Sequence, residues 1–395
     1  MKYWPDGFCG NAETKAGGVT DQTVDNEGGS NKVLETFDVV FWNLQNLFDL
    51  EGSVIASDME YTPVRGWDRR ALEVRIGNLA DTIGSTFDDN GPDLLGICEI
   101  ENARIANILI DAIGREDYAL AHAPVHNAQG LDTALIYSTD VFTINEEASK
   151  GHAVDLTYAT SDISEFHLTV KSNNADLVVL VNHWPSRKNG CQQSEASRLT
   201  AAQHCRRLVD ENLKLSRKDY LNLTDNELSL LALNAAWNQN VLLMGDFNDE
   251  PWDRSIADVL GAVYSRDLLE DPLRFTGDTL PSFKSYQSRT ARLFNPMWSL
   301  LTQPDTGTRQ GHGANAKMEL VDQFLLSRGL YLGLNGLQLE TSDDGIPDVQ
   351  IYRPDELCTR KLRPQEFRPE LRAGYSDHFP ITTTIRSFGV GEERS

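Results

Sequence analysis

The stretch VLLMGDFNDEP, residues 241–251, decides how the rest of this chain is read. Its first four residues form an apolar run of the kind that becomes a buried strand. The run meets an acid and an amide, Asp246 and Asn248, and then Asp249, Glu250 and Pro251. Polar groups at the end of a buried strand cost free energy unless they are paired or bound to something. Asp249 and Glu250 are expected to cap the next helix, since acids favour helix N-termini.

Five other apolar runs end in the same way. FDVVFW (37–42) is followed by Asn43, and DLLGIC (93–98) by Glu99. DLVVLV (176–181) runs into Asn182 and His183, and MELV (318–321) into Asp322. GYSDHFPI (374–381) places Asp377 and His378 just before the last run. Strand ends carrying only Asn, Asp, Glu and His point to one shared pocket. Oxygen ligands from acids and amides suit a hard divalent ion, Mg²⁺ or Mn²⁺, with Ca²⁺ a further candidate. Two histidines can exchange protons near neutral pH. There is no G-x-S-x-G and no Cys with an evident His partner, so a covalent nucleophile is not expected. The combination fits metal-assisted attack of water on a phosphate ester.

The surrounding pattern predicts an α/β fold. Strands are expected at 37–44, 93–100, 133–138, 165–170, 176–184, 240–248, 319–327 and 379–385, with 165–184 forming an antiparallel hairpin. Amphipathic helices are expected at 67–85, 101–114 and 194–214, with a shorter one at 255–262. Loose alternation of the two argues for mixed sheets covered by helices. Residues 1–32, rich in Gly, Asn, Asp and Thr, read as a poorly ordered leader, and 33–388 as a single domain. Two stretches, 211–239 and 335–372, read as insertions. The second holds RKLRPQEFRPELR (360–372), either a solvated loop or a basic patch facing phosphate.

Composition narrows the setting. No apolar run reaches the ~18–20 residues of a membrane helix, so no membrane insertion is expected. The start, MKYWPDGFCGNAETKAGG, lacks a basic head followed by an apolar stretch, so no signal peptide is expected in this chain; a mature secreted form stays open. The five cysteines form no CxxC pair, which argues against a zinc knuckle. Cys191 and Cys205 lie at opposite ends of a helical pattern, about 21 Å apart if it is continuous, too far for a disulfide. A net charge of −23 repels polyanions on average, so any nucleic-acid substrate would have to be held locally by a metal and a few cations.

Taken in order, WNLQNL, ICEIEN, VNHWPS, MGDFNDEP, VDQFLLS and YSDHFP resemble the endonuclease/exonuclease/phosphatase superfamily, the deoxyribonuclease I-like fold, across about residues 37–386. The resemblance implies a four-layer sandwich: two mixed β-sheets packed face to face with helices on both outer faces. It implies that Glu99 is the principal metal ligand, with Asn43 beside it and Asp377 completing the coordination directly or through water. Asp246 would orient or deprotonate the attacking water, and Asn248 would hold a phosphate oxygen. His378 would meet the phosphate with Asp322 fixing its tautomer, and His183 would be the second histidine. Asp132, in GLDTALIY, resembles the acid that supports that second histidine, although a surface turn acid reads equally well. Beyond the family pattern, Arg187 could pair with a phosphate, Trp184 could stack on a base or simply pack, and Arg372 is a basic residue available to the cleft.

The histidine pair favours the nuclease branch, hence DNA as substrate, cut with low sequence preference and without an obligate protein partner. The alternative is a phosphatase or phosphodiesterase acting on a small or lipid-derived ester, the two insertions walling the cleft against a duplex. A binding protein that kept the fold and lost the chemistry is disfavoured, because every acid, amide and histidine of a working site is present.

Overall fold

In a computed structural model, the described residues are 32–52, 61–124, 131–154, 163–187, 190–223, 227–269, 280–302, 305–311 and 316–389. The expected leader at 1–32 lies outside them except for Lys32. Period-two alternation builds the framework. In strand β1 (Val33–Leu47), Val39 and Phe41 point to one face and Val40 and Trp42 to the other. The first pair joins a core shared with the second sheet, and the second pair packs under helices.

The first sheet also contains β2 (Leu94–Ile100), β3 (Tyr118–Ala121) and β4 (Asp132–Ser138). The second holds β5 (Phe142–Ile144), β6 (Lys150–His152), β7 (Ile163–Val170), β8 (Asp176–His183), β9 (Val241–Asp246), β10 (Ala262–Val263), β11 (Leu293–Phe294) and, after the separate β12 (Arg309–Gln310) and β13 (Met318–Glu319) pair, β14 (Asp322–Ser327). β15 (Leu337–Leu339), β16 (Val349–Ile351) and β17 (Ile381–Phe388) return to the first sheet. The orders are β15-β17-β1-β2-β4-β3 and β10-β11-β14-β9-β8-β7-β5, with β16 on β17 and β6 on β7. Both sheets mix parallel and antiparallel pairs: β1 lies parallel to β2 and antiparallel to β17, and β8 parallel to β9 and antiparallel to β7.

Three cores define four layers. Phe41, Leu94 and Leu135 of one sheet meet Val179, Met244 and Phe324 of the other. The sheets approach so closely at Gly96 that a Cβ there would meet the Met244 sulfur at 2.2 Å. Helices Arg69–Gly84 and Ala103–Ile113 cover the first sheet through Leu79, Ile83 and Leu109. Helices Cys191–Leu213 and Glu227–Trp237 cover the second through Leu208, Leu233 and Trp237. The expected sandwich is therefore the fold, and the 165–184 hairpin is β7–β8. Among the described residues no helix is long and apolar enough to cross a membrane. Cys98 and Cys205 are buried free thiols.

The stretches read as insertions carry regular structure, and the short helix differs from the expectation. Residues 211–239 supply the helix Glu227–Trp237 of the outer layer, and 335–351 supply β15 and β16, both hydrogen-bonded to β17. Between β16 and the segment before β17, about 353–372 contains one short 3₁₀ turn, Asp355–Leu357. The short helix expected at 255–262 is a single π-type turn, Ser255–Val259. Its N-cap is Arg254, so Asp249 and Glu250 do not cap it.

Candidate active site

The alternation that fills the core also aims the polar strand ends. Odd residues of β8, Leu177, Val179 and Val181, face between the sheets, and His183 is the next. Leu242 and Met244 of β9 lead to Asp246, Leu326 and Phe324 of β14 lead back to Asp322, and Val39 and Phe41 of β1 lead to Asn43. Strand register puts them side by side: His183 pairs with Asp246, and Asp246 with Asp322. Four inward positions, apolar along the core, thus turn polar where the sandwich opens.

Glu99 reaches the same place by breaking the alternation. Cys98 faces the inter-sheet core and Ile100 the helical core, and the register with β4 shifts between them. Glu99 is the extra residue of this bulge and takes φ +62°. A non-glycine residue in the left-handed region costs ~1–3 kcal/mol and persists where its surroundings enforce it. Asn248, just past β9, has φ +49° and is held by its N–H on Asp246 Oδ1 (2.9 Å) and its amide on the Trp184 carbonyl (3.0 Å). The segment before β17 is fastened to β1: Ser376 Oγ donates to the Asn43 carbonyl (2.7 Å) and Trp42 Nε1 to the His378 carbonyl (2.9 Å).

The groups form one network across both sheets. Asn43 Nδ2 donates to Glu99 Oε1 (3.0 Å) and to Asp246 Oδ2 (3.1 Å). His378 Nδ1 lies 2.7 Å from Asp322 Oδ2, and its Nε2 lies 3.7 Å from Asp246 Oδ2. His183 Nε2 lies 3.4 Å from Glu99 Oε1. The side chains of Glu99 and His183 keep 17 % and 14 % exposure, whereas Asp246, Asp322 and His378 keep 3 % or less. The cleft therefore has a wet rim and a dry floor.

Charge follows this geometry. Burial raises the Glu99 pKa, but His183, the Asn43 amide, His378 and the Asn46 N–H outweigh it and hold the carboxyl below its usual range. Burial raises Asp246 and Asp377, with His378 opposing in both cases. For His378, burial works downward, but Asp322, Asp246 and Asp377 together push it up to about 10, so the ring is an imidazolium at neutral pH. Among the described residues, the buried Asp322 Oδ1 has no hydrogen-bond donor. Donor atoms of Glu99, His183 and Asp246 lie within 4.8 Å of one another, as do those of Asp246, Asp322 and His378. Clustered carboxylates, one with an unmet oxygen, fit a hard divalent cation held by oxygen donors.

Of the expected site residues, Asn43, Glu99, His183, Asp246, Asn248, Asp322 and His378 come together here, and half-buried Asp377 lies close enough for Glu99 to raise its pKa. Four others do not play the expected part. Trp184 is 2 % exposed, stands edge-on to Phe247 and donates Nε1 to Asn182 Oδ1, so no base can stack on it. Arg187 is buried, with its guanidinium on Asp249 (2.9 Å), Asp253 and the Asn248 carbonyl. It braces the turn that presents Asn248, and its fork is not open to phosphate. Asp249 completes that brace through an ion pair with Arg198 (2.7 Å) and by accepting from Ser255 Oγ (2.6 Å). Asp132 pairs with His122 (2.8 Å), while the carboxylate on His183 is that of Glu99. Arg372 pairs with Asp68, the N-cap of helix Arg69–Gly84, at the surface rather than at the strand ends.

Sequence reasoning missed Arg309. It is 7 % exposed, its Nη1 donates to Asn248 Oδ1 (2.9 Å), and its charge lowers the pKa values of Asp246 and Asp377. It sits on a two-residue strand within TGTRQG, where nothing in the local pattern marks it.

None of the curated proteins matches this chain. Solved structures with a similar fold include a humanized D. rerio TDP2 (14 % identity, covering 89 % of this chain and 98 % of that one, TM-score 0.47). Others are an endonuclease/exonuclease/phosphatase family protein from Bacteroides thetaiotaomicron (12 %, 89 % and 98 %, 0.49) and a mannosyl-6-phosphatase from the same organism (14 %, 88 % and 99 %, 0.49). The family model described as Endonuclease/Exonuclease/phosphatase family matches residues 38–273, more than half of the 395. That span takes in Asn43, Glu99, His183, Asp246 and Asn248, and this chain belongs to the endonuclease/exonuclease/phosphatase family.

Proposed function

We propose that this protein is a divalent-metal-dependent phosphodiesterase that hydrolyses DNA with little sequence preference. The observation that carries this reading is the Asn43 amide bridging Glu99 of one sheet to Asp246 of the other, with His378 Nε2 3.7 Å from the same Asp246 carboxylate. Glu99 and Asp377 would hold the ion, which when bound supplies positive charge against the phosphate oxygens. Asn43, expected as a ligand, turns its Nδ2 to Glu99 and gives its Oδ1 to the Gln45 N–H, so it positions the Glu99 carboxylate instead. Asp246, raised by burial, accepts a proton from the attacking water. Asn248 and Arg309 hold non-bridging oxygens. His378, fixed by Asp322, offers its Nε2 proton and its charge to the phosphate as negative charge builds. His183, at the wet rim beside Glu99, is the second histidine available to the phosphate.

The test is nicking of supercoiled plasmid at low salt with Mg²⁺ or Mn²⁺, beside an EDTA control and His378→Ala. Metal-dependent nicking that the variant loses supports the reading. The net charge of −23 favours a second one, a phosphatase or phosphodiesterase for a small or lipid-derived ester. Hydrolysis of bis-p-nitrophenyl phosphate without nicking would select it.

A further inference from the structure

Beside the cleft lies a second group of residues that the chemistry does not use. Trp252 is 48 % exposed and Tyr264 60 %, the only aromatics among the exposed large hydrophobic residues described. Both rings lean on partly exposed Trp298, whose centroid lies 6.0 Å from Trp252 at 68° and 5.3 Å from Tyr264 at 49°. Aromatic rings gain most by burial, so a wet cluster of three is a surface kept open for something flat.

Topology explains where the cluster sits. Trp252 follows β9, Tyr264 follows β10 and Trp298 follows β11. β10 runs parallel to β11, and β9 and β11 both run antiparallel to β14. All three strands therefore end at the edge where β9 delivers Asp246 and where β14 begins with Asp322. A buried hydrogen-bond chain joins the loops: Asn295 Nδ2 donates to Gln323 Oε1 (2.8 Å), and Gln323 Nε2 to the Asp249 carbonyl (2.7 Å). Trp252 is four positions after Asn248, so their Cα atoms are at most about 14 Å apart.

We infer that Trp252, Tyr264 and Trp298 form a stacking platform for an unpaired nucleobase within a few nucleotides of the scissile phosphate, so that single-stranded or frayed DNA is the favoured substrate. The inference rests on the nuclease reading above. Position selects this occupant: a strand whose phosphate sits at Asn248 has its neighbouring bases within reach of Trp252, at most about 14 Å away. With a net charge of −23 the chain gains little from counterion release, whereas stacking on a base is indifferent to charge. A base in intact duplex keeps its faces covered and cannot use the platform.

The experiment uses a short single-stranded oligonucleotide with one cleavable linkage, and the same strand made abasic on both sides of it. Trp252→Ala and Tyr264→Ala should each raise KM about tenfold on the intact strand, and Trp252→Phe should restore most of the loss. On wild-type protein the abasic strand should lose by the same factor, and on Trp252→Ala it should lose no more. Thermal melts of these surface variants should match wild type. An unchanged KM, or abasic and Trp252→Ala losses that multiply, overturns the platform; the rings would then serve another partner, such as a protein. Failure of wild-type protein to cut any strand would instead remove the nuclease reading, and the platform with it.

Discussion

Asp322→Asn isolates the interaction that sets the charge of His378. Three carboxylates raise this buried histidine from 6.5 to about 10, Asp322 most strongly, through a 2.7 Å contact with Nδ1. A hydrogen bond to a charged group contributes ~1.5–3 kcal/mol, and each pKa unit corresponds to ~1.4 kcal/mol. The amide should therefore bring His378 down by about 1–2 units, with Asp246 and Asp377 keeping it above its ordinary value. The sign for stability follows. A histidine whose folded pKa is raised contributes stability that is complete below pH 6.5 and is lost as pH rises toward about 10. In the variant that loss should come earlier, and stability at pH 6 should drop by ~3–5 kcal/mol because one partner of a buried pair is gone. The assay is NMR titration of the His378 ring in metal-free protein, with urea unfolding at several pH values. A midpoint still near about 10 would refute the assignment of Asp322 as the main partner. A midpoint below 6.5 would refute the contribution of the other two carboxylates.

Three further outcomes test neighbouring parts of the argument. Glu250 is raised to about 7, chiefly by burial, so its contribution is complete below pH 4.5 and lost as pH rises to about 7; Glu250→Gln should flatten the unfolding free energy across that window. Trp184→Ala should cost ~3–5 kcal/mol in urea unfolding by opening a cavity against Phe247, with KM little changed in the protein that remains folded. In Gly245→Ala the new Cβ would meet the Asn182 carbonyl oxygen at 2.3 Å, across the β8–β9 pairing that carries His183 and Asp246. A loss of ~1–3 kcal/mol, read as a lower melting temperature, is expected, together with impaired hydrolysis.

Mixed sheets covered by helices, and most of the site's floor, were legible because they rest on local rules, whereas the four-layer sandwich came only from the family resemblance. Strands with apolar residues at every second position had to bury one face, and Asn43, His183, Asp246 and Asp322 continue that same period past the core. Their convergence could be read strand by strand. The two- and three-residue strands β5, β6, β10, β11, β12, β15 and β16 were missed because so few residues show no period, and β15 and β16 both pair with β17.

The sequence by itself determined which chemical groups this edge of the sandwich would carry: acids, amides and two histidines at strand ends, and no nucleophile. Only the tertiary structure decided which cation faces the site. Arg187, beside a promising His-Trp-Pro, is taken up by Asp249 and Asp253, while Arg309, in an unremarkable loop, reaches Asn248. It likewise buried Trp184 and left Trp252 in water. The reason is physical: a strand's period fixes direction within a few residues, whereas the partner of a long charged or aromatic side chain depends on which distant loop arrives beside it.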